Sequence, residues 1–352
     1  RRCLGENAIY DLVASCYTPT ATFTSAFASL LTSLFSPYGL IVIDASTRLF
    51  HALARSTLRA AIQQADEIHA ALLERNQALE QAGYHAQVTV GKSSSLLFLI
   101  DETTGVRNAL KKISTDTWVA GSARYTSSEL VSILDSAPER ISPNVLLRPV
   151  VEDTLLPTSA YIGGPSEVAY FAQSQVVYQR ILGHTTPALP RYSATLVGPE
   201  MAQLLQQYGL TLPDVFTTSD ALGHRLGARA IPIEGKRKLS AAGNALQEEL
   251  EAVTAWMRAQ DQGLGHAADI AASKMLYQMN RLRRLSATFQ LQRDQSLRRN
   301  AETLCQNLFP SGNLQERVLA GVSFLANNSQ SLIDLLVEQA RTGHCGHHAL
   351  FL

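Results

Sequence analysis

The hydrophobic and polar positions along the chain change period several times. Apolar residues recur at helical spacing between residues 20 and 36, and an Ala- and Leu-rich pattern from 47 to 81 predicts a second, long helix. Between them lies the continuous apolar run at 40–43, which is typical of a parallel strand buried on both faces. The other predicted strands of this type are short: 145–147, 159–162 and 186–189. This alternation predicts an α/β domain with a Rossmann-like, incomplete parallel sheet.

The stretch from residue 84 to residue 120 has a different pattern. Short strand-like runs at 87–90 and 96–100 are separated by turn residues, so we expect a small β-meander inserted into the α/β domain. Helical periodicity then returns at Thr126-Ser127-Ser128-Glu129, which has the composition of a capping box.

Helical periodicity dominates the last third of the chain. Apolar residues recur at spacings of three and four from residue 239, Gly263 and Gly265 interrupt them, and a heptad-like repeat follows. The repeat consists of Ala268, Ala271, Met275, Leu282, Leu285 and Phe289. Two helices joined by a short turn form an antiparallel hairpin. We therefore expect a Rossmann-like domain over residues 1–235 and a helical coiled-coil domain over 236–352, with a homodimer formed through the coiled coil.

Composition and charge exclude several classes of protein. The 352 residues carry 30 basic and 30 acidic side chains, so no positive excess favours binding to nucleic acid. The apolar runs are far shorter than a membrane span requires, and we expect no membrane association. The four cysteines form no Cys-x-x-Cys pair, which indicates a reducing compartment, so we expect a cytoplasmic protein.

The tail, His344-Cys345-Gly346-His347-His348, contains side chains that bind zinc in other proteins. Its spacing matches no standard zinc finger, and donors this crowded are poorly placed to surround one ion. We therefore predict no metal site.

Candidate chemistry concentrates where the predicted strands end. Gly163-Gly164-Pro165 precedes a helical pattern, and glycines at a helix start leave backbone N–H groups and the positive end of the helix dipole open to a ligand. Arginine offers paired donors to a carboxylate or phosphate. The predicted substrate-binding residues share this edge: Asn144, Arg148, Gly163, Gly164, Pro165 and Arg191.

Three further side chains near this edge are candidates for holding an amine or transferring a proton: Glu152, Glu167 and Tyr170. The alternative interpretation is structural. In that case Gly163-Gly164-Pro165 is a plain turn, and Arg148 and Arg191 form ion pairs with local carboxylates. The residues alone leave both interpretations open.

A second candidate site lies on the predicted coiled coil. Arg281 and Arg284 could bind the phosphates of a nucleotide such as ATP or ADP. A solvated helix face is the alternative explanation for the same charges. The nucleotide is the one cofactor that this pattern suggests.

Several short motifs resemble those of a known family, the bacillithiol biosynthesis cysteine-adding enzymes. They are Ser142-Pro143-Asn144-Val145, Arg148-Pro149, Glu152-Asp153, Leu156-Pro157-Thr158, Gly164-Pro165-Ser166-Glu167 and the ending His347-His348-Ala349-Leu350-Phe351-Leu352. Glu152 stands where the family usually has Gln, and Phe171 stands where it usually has Trp. The family's first segment, with its glycine-rich loop, has no match, so the chain resembles the C-terminal part of such an enzyme.

The resemblance implies a reaction. It implies a ligase that adds L-cysteine to the amino group of glucosaminyl-malate, the last step of bacillithiol biosynthesis. Arg148 and Arg191 would then hold substrate carboxylates, and Glu152 or Glu167 would orient or deprotonate the amine. The alternative is a non-catalytic module, for coiled-coil dimerisation or nucleotide binding, left after loss of the first segment.

Overall fold

The computed structural model describes residues 7–328, 330–343 and 345–352, which form two compact units. The N-terminal unit comprises residues 11–191, and the C-terminal unit comprises residues 7–10 and 192–352. Each unit has its own hydrophobic core. The domain boundary expected between residues 235 and 236 falls within the C-terminal unit.

Up to residue 191, the described chain contains mostly short helices. Their bounds are α1 (Ala8–Cys16), α2 (Phe23–Phe35), α3 (Arg48–Leu53), α4 (Arg55–Gln63), α5 (Ala65–Gln81), α6 (Ser127–Ser136), α7 (Arg148–Leu155) and α8 (Pro165–Leu182). The single helix predicted over 47–81 is therefore three helices, which are separated at Ala54 and Gln64. The predicted capping box is present, because Thr126 and Glu129 exchange hydrogen bonds at the start of α6.

The main sheet of the N-terminal unit is antiparallel. Its strands are β1 (Ser94–Ile100), β2 (Arg107–Ser114), β3 (Thr117–Ala120), β4 (Ala123–Tyr125) and β5 (Ile141–Pro143), in the spatial order β4-β3-β2-β1-β5. The predicted meander is thus present. The prediction of a first strand at 87–90 was wrong. There the side chain of Gln173 accepts from the backbone N–H of Val88 at 2.8 Å and donates to its carbonyl at 2.9 Å.

A parallel pair lies beside the predicted site. The strands β6 (Tyr161–Gly163) and β7 (Ala188–Pro190) pair in parallel, with Ile162 opposite Leu189. They correspond to the predicted strands at 159–162 and 186–189. The predicted strand at 145–147 was wrong, because those residues form the turn between β5 and α7.

The apolar run at residues 40–43 is neither buried nor a strand, so the prediction of a buried parallel strand was wrong. Ile41 is 81% exposed and Ile43 is 47% exposed. In the described part of the chain no strand pairs with this run. An apolar pattern states a preference for burial, whereas burial itself requires a neighbouring element that covers the side chains.

The core of the N-terminal unit anchors the helix that carries the candidate site. Leu97 of β1, Leu58 of α4 and Val151 of α7 belong to one buried cluster. Trp118 is completely buried in the same cluster, and its indole N–H donates to the hydroxyl of Ser127 at 2.9 Å. Because Val151 packs in this core, the neighbouring side chains of α7 have a fixed position.

The C-terminal unit is helical, as predicted. Its helices are α9 (Pro199–Tyr208), α10 (Leu212–Val215), α11 (Ser219–Ala230), α12 (Ile233–Gln260), α13 (Gln262–Arg293), α14 (Gln295–Leu308), α15 (Gln315–Val318), α16 (Gly321–Asn328) and α17 (Ser331–Arg341). The long helices α12 and α13 form the hairpin. A Cβ at Gly265 would lie 2.8 Å from the Cα of Arg258, so this glycine permits their close approach. In the ranges described, no helix is long and apolar enough to cross a membrane.

A buried glutamine joins the C-terminal strands to the helices. The strands β8 (Ser193–Val197) and β9 (His347–Phe351) pair in parallel. The side chain of Gln315, which is 3% exposed, accepts from the N–H of Leu196 at 2.9 Å and donates to its carbonyl at 3.0 Å. It also donates to the carbonyl of Asn307 at 2.9 Å. One buried side chain therefore satisfies three backbone groups.

We predict that Gln315→Ala lowers the free energy of unfolding of the C-terminal unit by about 2–4 kcal/mol, because these backbone groups lose buried partners. Urea denaturation followed by hydrogen exchange of the β8 amides measures the change. The control is Gln247→Ala, at an exposed position of α12, which we expect to have little effect. Equal unfolding midpoints for the two variants would contradict the prediction.

Candidate functional site

Asn144 shapes the start of α7. Its side-chain oxygen accepts hydrogen bonds from the backbone N–H groups of Leu146 at 2.9 Å and Leu147 at 3.1 Å. The backbone N–H of Asn144 donates to the carbonyl of Leu96 at 2.7 Å, which connects this turn to β1. Asn144 therefore positions the helix that begins at Arg148, and its side-chain oxygen already takes part in this turn.

The glycine pair sets the start of α8. Gly164 is the N-cap residue, and Pro165 follows at the first helical position. The backbone N–H of Gly164 donates to Oε2 of Glu167 at 2.7 Å, so the carboxylate of Glu167 caps the N-terminus of α8. A Cβ at Gly163 would lie 3.1 Å from the Cβ of Glu167, so this glycine permits the close approach. The positive end of α8, expected to be open to a ligand, is thus paired with Glu167.

Arg148 lies between two carboxylates. Its Nε is 3.6 Å from Oε1 of Glu152, one turn along α7, and its Nη2 is 3.9 Å from Oε1 of Glu167 on α8. The Arg148 side chain is 49% exposed, so solvent reaches the cluster. With both carboxylates ionised, the three side chains carry an excess negative charge. Such a cluster is better suited to an ammonium group than to another carboxylate.

Two tyrosines complete this cluster. The hydroxyl of Tyr161 donates to Oε1 of Glu167 at 3.0 Å, and its ring lies 4.2 Å from that of Phe171. Tyr170 is buried, and its side chain interacts with Arg148 and Glu167. Burial, reinforced by Tyr170 and Glu167, raises the pKa of Tyr161, so its hydroxyl remains a proton donor. Tyr161 was not selected from the sequence, although it lies in the predicted strand at 159–162.

The two carboxylates have pKa values shifted in opposite directions. Burial raises the pKa of Glu152, and the charge of Glu167 adds to this, although Arg148 acts against it. The N–H of Gly164 is the main cause that lowers the pKa of Glu167, and the hydroxyl of Tyr161 and the charge of Arg148 contribute. Glu152 is therefore suited to accepting a proton, whereas Glu167 stays ionised.

These shifts affect stability in opposite pH ranges. The folded-state pKa of Glu152 lies above its unfolded value, so its contribution is present below the unfolded pKa and is lost as the pH rises through the folded pKa. The folded-state pKa of Glu167 is lowered. Its contribution is therefore present above the unfolded pKa and is lost as the pH falls through the folded pKa.

Asp153 fixes the loop after α7. Its side chain is 4% exposed, and it accepts hydrogen bonds from the N–H and hydroxyl of Thr158, from the hydroxyl of Thr186 at 2.7 Å and from the ring of His184 at 3.2 Å. Burial alone would raise the pKa of Asp153, but these hydrogen bonds lower it. Asp153 was not selected from the sequence, although it adjoins Glu152 in a recognised motif. It holds the loop and the start of β7 beside the cluster.

The predicted site residues are therefore only partly brought together. The N–H of Arg191 donates to the carbonyl of Gly163 at 2.8 Å, which extends the β6–β7 pair by one residue. This bond links Arg191 to the glycine pair through the backbone. The side chains that meet directly are those of Arg148, Glu152, Glu167 and Tyr170.

The predicted nucleotide site lies on α13 in the C-terminal unit. Arg281 and Arg284 are exposed, and the guanidinium of Arg284 lies 5.2 Å from the ring centre of Tyr277. Arg281 borders a shallow hollow that Met275 and Leu282 also line. Nucleotide binding at these arginines stays a prediction.

The histidine tail takes part in strand pairing. The ring nitrogens of His347 hydrogen-bond to the hydroxyls of Ser193 at 2.7 Å and Thr195 at 2.8 Å, and the ring of His348 stacks on Tyr192. His344 lies outside the described residues. In the described ranges, no group of three or more His, Cys, Asp or Glu side chains is arranged to hold a metal ion.

The matches to two family models define a class of protein with a Rossmann-like domain followed by a helical coiled-coil domain. Residues 4–192 match the family description "Bacillithiol biosynthesis BshC, N-terminal Rossmann-like domain". Residues 194–352 match "Bacillithiol biosynthesis BshC, C-terminal coiled-coil domain". The chain belongs to the BshC family, which confirms the resemblance seen in its motifs.

Relatives named "Putative cysteine ligase BshC" are similar over nearly the whole chain. The protein of Koribacter versatilis (strain Ellin345) is 40% identical, with 98% of this chain and 64% of the relative aligned. That of Solibacter usitatus (strain Ellin6076) is 36% identical, with 92% and 60% aligned. That of Salinibacter ruber (strain DSM 13855 / M31) is 31% identical, with 97% and 62% aligned. The chain thus spans about three fifths of the length of these relatives. That this protein lacks the first segment of the family stays a prediction.

We predict that Tyr161→Phe raises the pKa of Glu167, because it removes a hydroxyl donor while the ring still packs on Phe171. Titration of the side-chain carboxyl by NMR measures this change. The matched control is Tyr84→Phe, at a tyrosine that is 69% exposed. A Glu167 titration curve that is identical in wild type and Tyr161→Phe would contradict the role of this hydroxyl.

Proposed function

We propose that this chain contains the amine-acceptor site of a cysteine ligase, which adds L-cysteine to the amino group of glucosaminyl-malate in the last step of bacillithiol biosynthesis. The names of the relatives support the ligase class, and the family descriptions support the pathway. The geometry around Arg148 supports an amine as the group that binds there.

Formation of the amide requires a neutral amine. The amine nitrogen attacks the carbonyl carbon of an activated cysteine carboxyl group, a C–N bond forms, and the nitrogen gives up a proton as the leaving group departs. Glu152 accepts that proton, since burial gives it the higher affinity for protons of the two carboxylates. Glu167 stays ionised and orients the bound ammonium, which loses a first proton to solvent before the neutral nitrogen attacks.

The observation that carries this proposal is that Arg148 lies between two carboxylates with different surroundings, and the opposite directions of their pKa shifts agree with those surroundings. It also changes the proposed role of Arg148. Because Arg148 already contacts Glu152 and Glu167, it sets their positions. Arg191 keeps the role that the resemblance implies, which is to hold a substrate carboxylate. Tyr170, packed against the same cluster, excludes water from its inner side.

The family usually has Gln where this chain has Glu152, so a proton acceptor at this position is a feature of this chain. We predict that Glu152→Gln lowers kcat for cysteine addition, because an amide does not accept a proton. The wild-type rate should rise with pH as Glu152 ionises, and the variant should lose this dependence. Mass spectrometry of the product measures the rate, with the chain alone and with the remaining part of the Koribacter versatilis relative supplied in trans. Glu80→Gln, at an exposed position of α5, is the matched control.

Two outcomes would contradict this proposal. If Glu152→Gln kept the wild-type rate and pH profile, Glu152 would not be the proton acceptor. If no product formed under either condition, while the chain still dimerised, the alternative of a non-catalytic module would be favoured.

We also propose that the chain is a homodimer through α13. Several large apolar side chains at helical spacing remain exposed on this helix, including Met275, Leu282, Leu285 and Phe289, each between 51% and 59%. Exposed apolar stripes of this kind mark interaction sites. A second copy offers the same stripe, so the contact would be isologous.

We predict that Leu282→Glu shifts the protein from dimer to monomer, because the contact would bury a carboxylate. Because Leu282 is 54% exposed within one chain, the fold should persist. Light scattering coupled to gel filtration measures the mass. The control is Ile113→Glu, at a residue 59% exposed in the N-terminal unit. A dimer that persists in Leu282→Glu, or a monomeric wild type, would contradict the interface.

The cysteines suit a cytoplasmic location, which we also propose. Cys16, Cys305 and Cys345 are free thiols. Burial raises the pKa of Cys305, so this thiol stays protonated and is a poor nucleophile.

A further inference from the structure

Residues 40–43 form an apolar segment outside the helices and strands, which the described chain leaves partly exposed. Leu40, Ile41, Val42 and Ile43 are 43%, 81%, 39% and 47% exposed. Leu40 donates one backbone hydrogen bond to Phe35. The backbone groups of residues 41–43 form no hydrogen bond to any described residue. The segment therefore offers both an unpaired edge and apolar side chains on its two faces.

The surrounding chain has the arrangement expected beside a buried strand. Asp44 accepts hydrogen bonds from the N–H and hydroxyl of Ser46 after the segment, and Thr47 caps α3. The adjoining helices α2 and α3 also expose large apolar side chains: Phe23 at 87%, Phe27 at 55%, Leu49 at 69% and Leu53 at 60%. A run that is apolar at every position is typical of a strand with neighbours on both faces. Uncovered edges of this kind act as templates for another strand.

The length of the relatives indicates what covers this surface. The Koribacter versatilis relative aligns with 98% of this chain, yet 64% of the relative is aligned, so more than a third of its length has no counterpart here. The relatives from Solibacter usitatus and Salinibacter ruber have similar unmatched lengths. A polypeptide of that length is sufficient for several strands and helices.

We propose that residues 40–43 are a β-docking edge, and that its occupant is a strand from the part of the BshC relatives that has no counterpart in this chain. The occupant pairs with the free N–H and C=O groups of residues 41–43, and its apolar side chains cover those of α2 and α3. Docking would turn an exposed segment into the buried strand that its composition favours. The Arg148 cluster is not part of this surface, so the proposal is independent of the reaction proposed above.

The test is co-expression of this chain with the unmatched part of the Koribacter versatilis relative, carried on an affinity tag. We expect the chain to be retained, and amide exchange at residues 41–43 to slow by at least about tenfold relative to the chain alone. Ile41→Lys should reduce retention by at least about tenfold, since docking would bury an unpaired ammonium. Ile41 is 81% exposed in the chain alone, so this variant should fold normally.

The matched control is Ile113→Lys, at a residue 59% exposed on β2, which should be retained like wild type. Three results would overturn the proposal. The first is no retention of wild type. The second is equal retention of wild type and Ile41→Lys. The third is protection of residues 41–43 in the chain alone at raised concentration, which would assign the edge to a second copy.

Discussion

The contact of one arginine with two carboxylates organises the candidate site. Arg148 begins α7, and it reaches Glu152 on its own helix and Glu167 on the next. Each carboxylate has a different environment, because Glu152 is partly buried on α7, whereas Glu167 is held by the backbone of Gly164 and the hydroxyl of Tyr161. The shared cation allows two negative charges to lie close together. These surroundings explain why Glu152 is suited to taking up a proton and why Glu167 stays ionised.

Features governed by local chemistry were predictable from the sequence. The capping box at Thr126, the helical hairpin of the C-terminal unit and the glycine-pair start of α8 all depend on residues close together in the chain. The strands β6 and β7 were found because turn residues bound them. The site residues on α7 and α8 were selected for the same reason, since each lies just after a turn.

Features governed by distant contacts were not predictable in this way. The run at residues 40–43 has the composition of a buried strand, yet its burial depends on a covering element. The pairing of Arg148 with Glu167 joins two helices, so the local pattern, which offers Glu152 one turn away, does not reveal this second partner. Tyr161 and Asp153 gain their roles from partners brought close by β6 and β7. A short sequence motif can identify such residues, but it does not show which partner each residue contacts in the folded chain.

The most direct test of this account is the separate ionisation of the two carboxylates in the unmodified chain. Carboxyl carbon chemical shifts, recorded by NMR across the acidic and neutral range, report Glu152 and Glu167 individually. The account predicts a midpoint above the ordinary glutamate value for Glu152 and below it for Glu167. Two coincident midpoints, or the reverse order, would contradict the assignment of proton acceptor and fixed anion.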